Sequence, residues 1–280
     1  MHLVMRRAPP IFVVGAVVAS ALAFTACPDK SSADKSSPAD VGTDSSSSAA
    51  ASDGVFARVQ AQLGARLEAV HDYDVGGNVV AADGQQLRFR YAMQQPTFMA
   101  GELLDEAGVR TRAFVFDGKV LAVIDDATKT VARHDLSGNE EQLLLTLHQT
   151  FSSFVCEGWR PPLLRPTTTV ATVVGDTVEL VVPINAEGLL RSVVVVDNNG
   201  AFVSKRTVAD GEVVLTSTTV LASAIDAATT LKFPTSWAQV DGDQRATTTL
   251  STWVVNGGIA AERFSTAIPA GFTAAAPPTP

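Results

Sequence analysis

Apolar residues follow three regimes along this chain. Residues 11–24 form an apolar run preceded by Arg6 and Arg7. Residues 28–52 are mostly Ser, Ala and Asp, with no aromatic residue and Val41 as the one aliphatic beyond alanine. From residue 53 onward apolar positions become periodic. Val55, Val59, Leu63, Leu67 and Val70 recur at helical spacing, and Asp53 stands where it can cap the helix they predict. Gly64 weakens that helix without breaking it. Leu87, Phe89, Tyr91 and Met93 then alternate with Arg88, Arg90 and Ala92, which predicts a strand with one apolar and one wet face. Asp83-Gly84 precedes it, and Asp117-Gly118 separates strand-like runs at 113–116 and 119–124.

A second helix is predicted next. Ser137 and Glu140 have capping-box spacing, and Leu143, Leu144, Leu147, Phe151 and Phe154 supply its apolar face. Prolines 161, 162 and 166 exclude helix and central strand from the segment that follows. Strand-like runs at 168–174, 178–184, 189–196, 202–208 and 212–221 are separated by Gly175-Asp176, Glu187-Gly188, Asn198-Asn199-Gly200 and Asp210-Gly211. Further strands are expected at 244–255 and 262–267. Ten or more short antiparallel strands, with helices at the start and in the middle, predict one α+β domain over residues 53–280.

The N-terminal regimes carry an address. A short positive segment, an apolar stretch and small residues at its end are the layout of a secretory signal peptide over residues 1–26. The 14-residue run is short of the ~20 residues needed to cross a bilayer as a helix. Phe24-Thr25-Ala26-Cys27 resembles the lipobox of bacterial lipoproteins, with Phe24 where Leu is usual. The resemblance implies that Cys27 becomes the first mature residue and bears a covalent acyl and diacylglycerol anchor. The other reading is a plain signal peptide with an incidental cysteine. Residues 27–52 then form a disordered tether, too polar to offset the entropy of ordering. A flexible coil of 25 residues has an end-to-end distance of roughly 25–30 Å. Pro28 and Asp29 follow Cys27, with the acid one place later than the usual inner-membrane retention position, which points to the outer membrane facing the periplasm.

Charge and motifs narrow the function. The net charge of −8 falls to −10 without residues 1–26, which hold two arginines and no acid. Such a chain repels polyphosphate, so nucleic-acid binding is excluded. With Cys27 acylated, Cys156 has no partner and reads as a buried thiol among Phe151, Phe154 and Val155. No nucleophile elbow, dinucleotide-binding glycine motif, P-loop or zinc-protease helix motif occurs, so an enzyme is not expected. His71 of His71-Asp72-Tyr73-Asp74 is read as a helix-end residue favoured by the dipole, not a metal ligand. Asp241-Gly242-Asp243 lacks the later glutamate of a calcium loop and is read as a turn. No metal and no separate cofactor are expected.

Residues 54–136 resemble the N-terminal half of the LolA/LolB-like family, periplasmic carriers and receptors for lipoproteins. The resemblance rests on the opening amphipathic helix and a strand pair leading into Gln95-Pro96-Thr97-Phe98. It continues in Phe114-Val115-Phe116-Asp117-Gly118-Lys119 and in Asp125-Asp126-Ala127-Thr128-Lys129-Thr130-Val131. The ending, Phe264-Ser265-Thr266-Ala267-Ile268-Pro269-Ala270-Gly271, resembles the family's closing strand. Leu121 stands where an aromatic is common. The family implies an incomplete antiparallel β-barrel, a half-barrel with lid helices on its concave face and a cavity for acyl chains. Leu87, Phe89, Tyr91, Met93, Phe98, Phe114 and Phe116 would line that face, and Leu147, Phe151 and Phe154 the underside of the second helix. Alternation alone does not separate this cavity from a packed sheet–helix core.

The expected partners are a membrane through the anchor and lipid or lipoprotein acyl chains, with the protein monomeric. A regulatory lipoprotein that binds a protein partner is the competing reading, and a structural lipoprotein with a filled core is another. If Cys27 holds the anchor, Cys27→Ser abolishes membrane association, and fractionation of cells producing the variant finds the protein in the soluble pool.

Overall fold

The computed structural model describes residues 46–95, 97–136, 169–184 and 188–275. Cys27, most of the expected tether, the second helix with Leu147, Phe151 and Phe154, the proline segment and Cys156 lie outside the described residues. The described residues open with helix α1 (Ser46–Ala69). Six strands follow: β1 (Asp72–Ala81), β2 (Gln86–Gln94), β3 (Phe98–Leu104), β4 (Arg110–Phe116), β5 (Val120–Asp125) and β6 (Thr130–Asp135). Next come β7 (Val170–Val174), β8 (Thr177–Pro183), β9 (Leu190–Asp197), β10 (Phe202–Ala209) and β11 (Val213–Ile225). The last are β12 (Lys232–Asp241), β13 (Gln244–Val255) and β14 (Thr273–Ala274), with 3₁₀ turns at Asp210–Glu212 and Ala261–Phe264.

The fourteen strands of the described residues form one open sheet, in the order β14-β6-β5-β4-β3-β2-β1-β13-β12-β11-β10-β9-β8-β7. Every pairing is antiparallel except β14 on β6. The α+β half-barrel expected from the sequence is therefore the observed architecture, and β14 and β7 are its edges. The predicted turns at Gly84, Gly118, Gly175, Gly188, Gly200 and Gly211 all have positive φ, as does Gly242 of the Asp-Gly-Asp turn.

Five strands escaped the sequence pattern, β1, β3, β6, β12 and β14. Strand β1 contains Gly76-Gly77, which reads as a breaker, but a bulge against β13 sits at that dipeptide. A side chain on Gly77 would strike the Thr249 carbonyl, so the close approach of two backbones requires glycine. Strand β12 contains Pro234, opposite Ser223 beside irregular register in β11, and a bulge tolerates the missing donor. Strand β3 begins two residues after Pro96. The strand expected at 262–267 is instead the 3₁₀ turn Ala261–Phe264, which packs the Phe264 ring onto the sheet.

Helix α1 starts at Ser46, seven residues before the expected cap at Asp53. Its inward positions are Phe56, Val59, Leu63 and Arg66, followed by Val70 just beyond its end, with Val55 and Leu67 only half-buried. Side chains at this three-and-four spacing share one helix face. The helix meets widely separated strands. Gln95 Nε2, just past β2, donates to the carbonyls of Leu67 and Val70 at 2.6 Å each. Gln62 Nε2 donates to the Asn198 carbonyl between β9 and β10 at 2.7 Å. From β2 to β10 is five strand spacings in the sheet order, about 24 Å if flat, whereas residues 62 to 67 span about 7.5 Å of helix. The sheet curls around the helix to satisfy both.

The end of α1 is fixed from a distance. Asn256, with φ of 54°, uses Nδ2 to donate to the Ala69 carbonyl at 2.7 Å and accepts the His71 N–H on Oδ1 at 2.8 Å. The capping expected of His71 thus comes from Asn256 and Gln95, and His71 contributes its backbone. Replacing Asn256 by Ala removes its side-chain hydrogen bonds to Ala69, His71 and Asp72, and should lower stability by about 1 kcal/mol in urea unfolding.

Candidate functional site

Register sorts the side chains of the sheet into two faces. On the inner face, the end nearest the α1 C-terminus carries a row of Tyr73, Met93, Met99, Phe116 and Leu121. The second row is Val75, Tyr91, Gly101, Phe114 and Val123. The third is Gly77, Phe89, Leu103, Arg112 and Asp125. Val79 and Leu87 make the fourth. Across β13, Thr248, Trp237 and Val220 continue that fourth row.

Six of the seven described candidates (Leu87, Phe89, Tyr91, Met93, Phe114 and Phe116) do share this inner face. Phe98 does not. It pairs with Gln94 while its neighbour Met99 pairs with Met93, so its ring points outward and lies 5.6 Å from that of Phe264. The proline before it hid the start of β3 and with it the phase of the alternation. Tyr73, Val75, Met99, Trp237 and Phe233 were missed because β1, β3 and β12 were missed. Tyr73 and Tyr91 have ring centroids 5.9 Å apart, and Tyr91 and Phe114 6.2 Å apart, a tilted ladder across three strands.

Depth separates the two possibilities that the sequence left open. Tyr73, Met93 and Phe116 are fully buried, so these positions are core that joins α1 to the sheet. In the fourth row Trp237 is buried too, at 1% exposure, so the half-buried part of the upper face lies over β2 to β5. Leu87, Phe89, Leu103 and Val123, mostly in the upper two rows, are only half-buried. The candidate site is therefore the upper inner face, and the aromatic floor beneath it is structural.

One inward position of α1 is charged. Arg66 is 4% exposed, places its guanidinium 4.4 Å from the centroid of Phe233 and donates Nη2 to the Lys232 carbonyl. Burial pushes its pKa down to about 10, against the opposing pull of Asp197. The cation–π contact and the carbonyl offset part of the cost of burying a charge at a position where leucine would pack.

Carboxylates at the two ends of β4 and β5 are held by hydrogen bonds. Arg110 grips Asp126 with Nε and Nη2 at 2.7 and 3.1 Å, which holds the Asp126 carboxyl below its ordinary range. The N–H groups of Thr128 and Ala127 do the same for Asp125, which also lies 3.6 Å from Arg112 on the inner face. Partial burial works against ionisation of Asp117, but the N–H groups of Val120 and Lys119 and the Thr266 hydroxyl outweigh it, and its pKa is lowered. Among the described residues no three His, Cys, Asp or Glu side chains gather as a metal site, and no helix is long and apolar enough to cross a membrane.

Gly101 marks the tightest point of the second row. A methyl group there would collide with the Phe114 ring, which lies over the glycine. Gly101→Ala should displace that ring and lower stability by about 1–3 kcal/mol in urea unfolding. The near-ultraviolet dichroism of the Tyr73–Tyr91–Phe114 ladder should change with it.

No family model and no curated protein matches the sequence. Solved structures do. The chain is similar to a domain described as part of an outer membrane lipoprotein-sorting protein from Vibrio parahaemolyticus, at 11% identity and TM-score 0.48, over 77% of this chain and 97% of that one. It is similar to a LolA superfamily protein from Nitrosomonas europaea at 13% identity and TM-score 0.46, over 74% and 97%. A DUF1329 family protein from Desulfovibrio piger gives 10% identity and TM-score 0.47, over 74% and 97%. The likeness at these identities concerns the fold alone.

Proposed function

We propose that this protein is an envelope lipoprotein that takes an acyl chain of a lipid or lipoprotein into the upper inner face of its half-barrel. The observation that carries the reading is the half-buried apolar wall of Leu87, Phe89, Leu103 and Val123 above a fully packed floor. A wall of this kind gains by covering itself with a hydrocarbon chain, at about 0.8 kcal/mol per buried methylene. The floor stays intact because α1 is held there by Arg66, Gln62, Gln95 and Asn256 as well as by apolar packing. Ligand uptake then need not disturb the core.

The anchor and tether read from the sequence fit a fixed receptor, as LolB-like proteins are, better than a soluble shuttle. Stable anchoring takes more than one acyl chain, and a triacylated Cys27 would supply it. The half-barrel would then work within a short radius of the outer membrane, passing or holding chains without catalysing a reaction.

The test is native mass spectrometry of the full chain carrying Cys27→Ser, purified without detergent. Co-purifying phospholipid or fatty acid, or saturable binding of a fluorescent fatty acid, is the expected outcome. A clean apo mass with no fatty-acid binding contradicts the reading.

A further inference from the structure

The chain contains two Asn–Gly steps, Asn199-Gly200 in the turn between β9 and β10 and Asn256-Gly257 after β13. A glycine leaves the amide nitrogen that follows an asparagine unshielded, so that nitrogen can approach the asparagine's side-chain carbonyl carbon closely. The two asparagines are held very differently. Asn256 is locked, with Nδ2 donating to the Ala69 carbonyl at 2.7 Å and Oδ1 accepting the N–H groups of His71 and Asp72 at 2.8 and 3.4 Å. Asn199 is exposed. Its backbone N–H donates to Asp197 Oδ1 at 2.9 Å, while its side-chain amide is unbound among the described residues.

What restrains Asn199 is the closed turn and the helix seated on it. The Gly200 N–H donates to the Asp197 carbonyl at 2.9 Å, and the Asp197 N–H to the Ala201 carbonyl at 2.8 Å. Gln62 Nε2 of α1 donates to the Asn198 carbonyl at 2.7 Å. A methyl group on Gly200 would meet Cβ of Gln62 at 3.1 Å and a Leu63 methyl at 3.8 Å, so the turn lies directly against the helix. The Gly200 nitrogen is therefore occupied for as long as the turn stays shut.

We infer that Asn199 is a site of spontaneous deamidation, and that α1 sets its rate by holding the β9–β10 turn closed. When the turn opens, the Gly200 nitrogen bonds to Cγ of Asn199 and the Cγ–Nδ2 bond breaks. The Gly200 proton passes through solvent to Nδ2, which leaves as ammonia, and a succinimide ring remains. Water then adds to either ring carbonyl, which yields aspartate or isoaspartate at this position. Both products place a carboxylate two residues from Asp197, whose Oδ2 accepts from Lys232 Nζ at 3.3 Å. Isoaspartate also lengthens the main chain of a turn fitted to α1, so the Gln62–Asn198 contact is lost. The reaction thus records how often α1 lifts from this turn, as amide exchange records other local openings.

The test incubates the full chain carrying Cys27→Ser at mildly alkaline pH and follows both asparagines by peptide mapping with mass spectrometry. Asn199 should convert while Asn256 stays intact. Gln62→Ala should speed conversion at Asn199 about fivefold, the size of one net hydrogen bond. Gln95→Ala loosens the other end of α1 without touching the turn and should leave the rate at Asn199 unchanged. The assignment is overturned if Asn199 persists in the folded chain under conditions that convert it in urea, or if Asn256 converts equally fast. Control by α1 is overturned if Gln62→Ala has no effect, or if Gln95→Ala accelerates the reaction as much.

Discussion

A sheet that curls without closing must have its inner surface covered, and every other feature of this molecule follows from how that is done. The fourteen strands of the described residues leave the sheet open, with an inner face that must be covered. One amphipathic helix covers the lower part of that face, and the sheet bends far enough for the helix to meet β2, β12 and the β9–β10 turn within two of its own turns. The core forms where helix and sheet coincide. The half-buried wall remains where they do not.

The outer face is managed differently in its two halves. Over β2 to β6 the chain lays down small residues, Ala92, Ala100, Ala113 and Ala122, and the C-terminal segment returns to press Phe264 into them. Glu102 and Asp117 tie that segment down through Arg263 at 3.6 Å and Thr266 at 2.9 Å. The segment ends by adding β14 to the β6 edge. Over β7 to β11, Val170, Val174 and Leu221 are exposed, and Arg206 and Glu179 pair at 3.0 Å. Exposed ion pairs of this kind contribute little to stability.

The alternation of Leu87 to Met93 and the Asp-Gly and Asn-Gly dipeptides made most of the meander readable, because a half-wet strand and a tight turn each have a local signature. What escaped was non-local. Gly76-Gly77 looks like a break until β13 is beside it, and Pro234 looks like one until the bulge in β11 is known. Arg66 at an inward helical position could be understood only once Phe233 and the Lys232 carbonyl, more than 160 residues away, were seen to receive it. Phe98 was assigned to the wrong face because one unrecognised strand start reverses the phase of every residue after it. The inner-face candidates were legible as a set, but their division into floor and wall was not. Alternation reports which face a residue occupies, and depth along the strand depends on where the helix lies across it.

That division is the central claim, and a crystal structure of the chain with a bound long-chain fatty acid tests it most directly. The account predicts hydrocarbon density against Leu87, Phe89, Leu103 and Val123, with α1 still seated on Tyr73, Met93 and Phe116. Density beneath a displaced α1, with the aromatic floor opened to receive the chain, would contradict it.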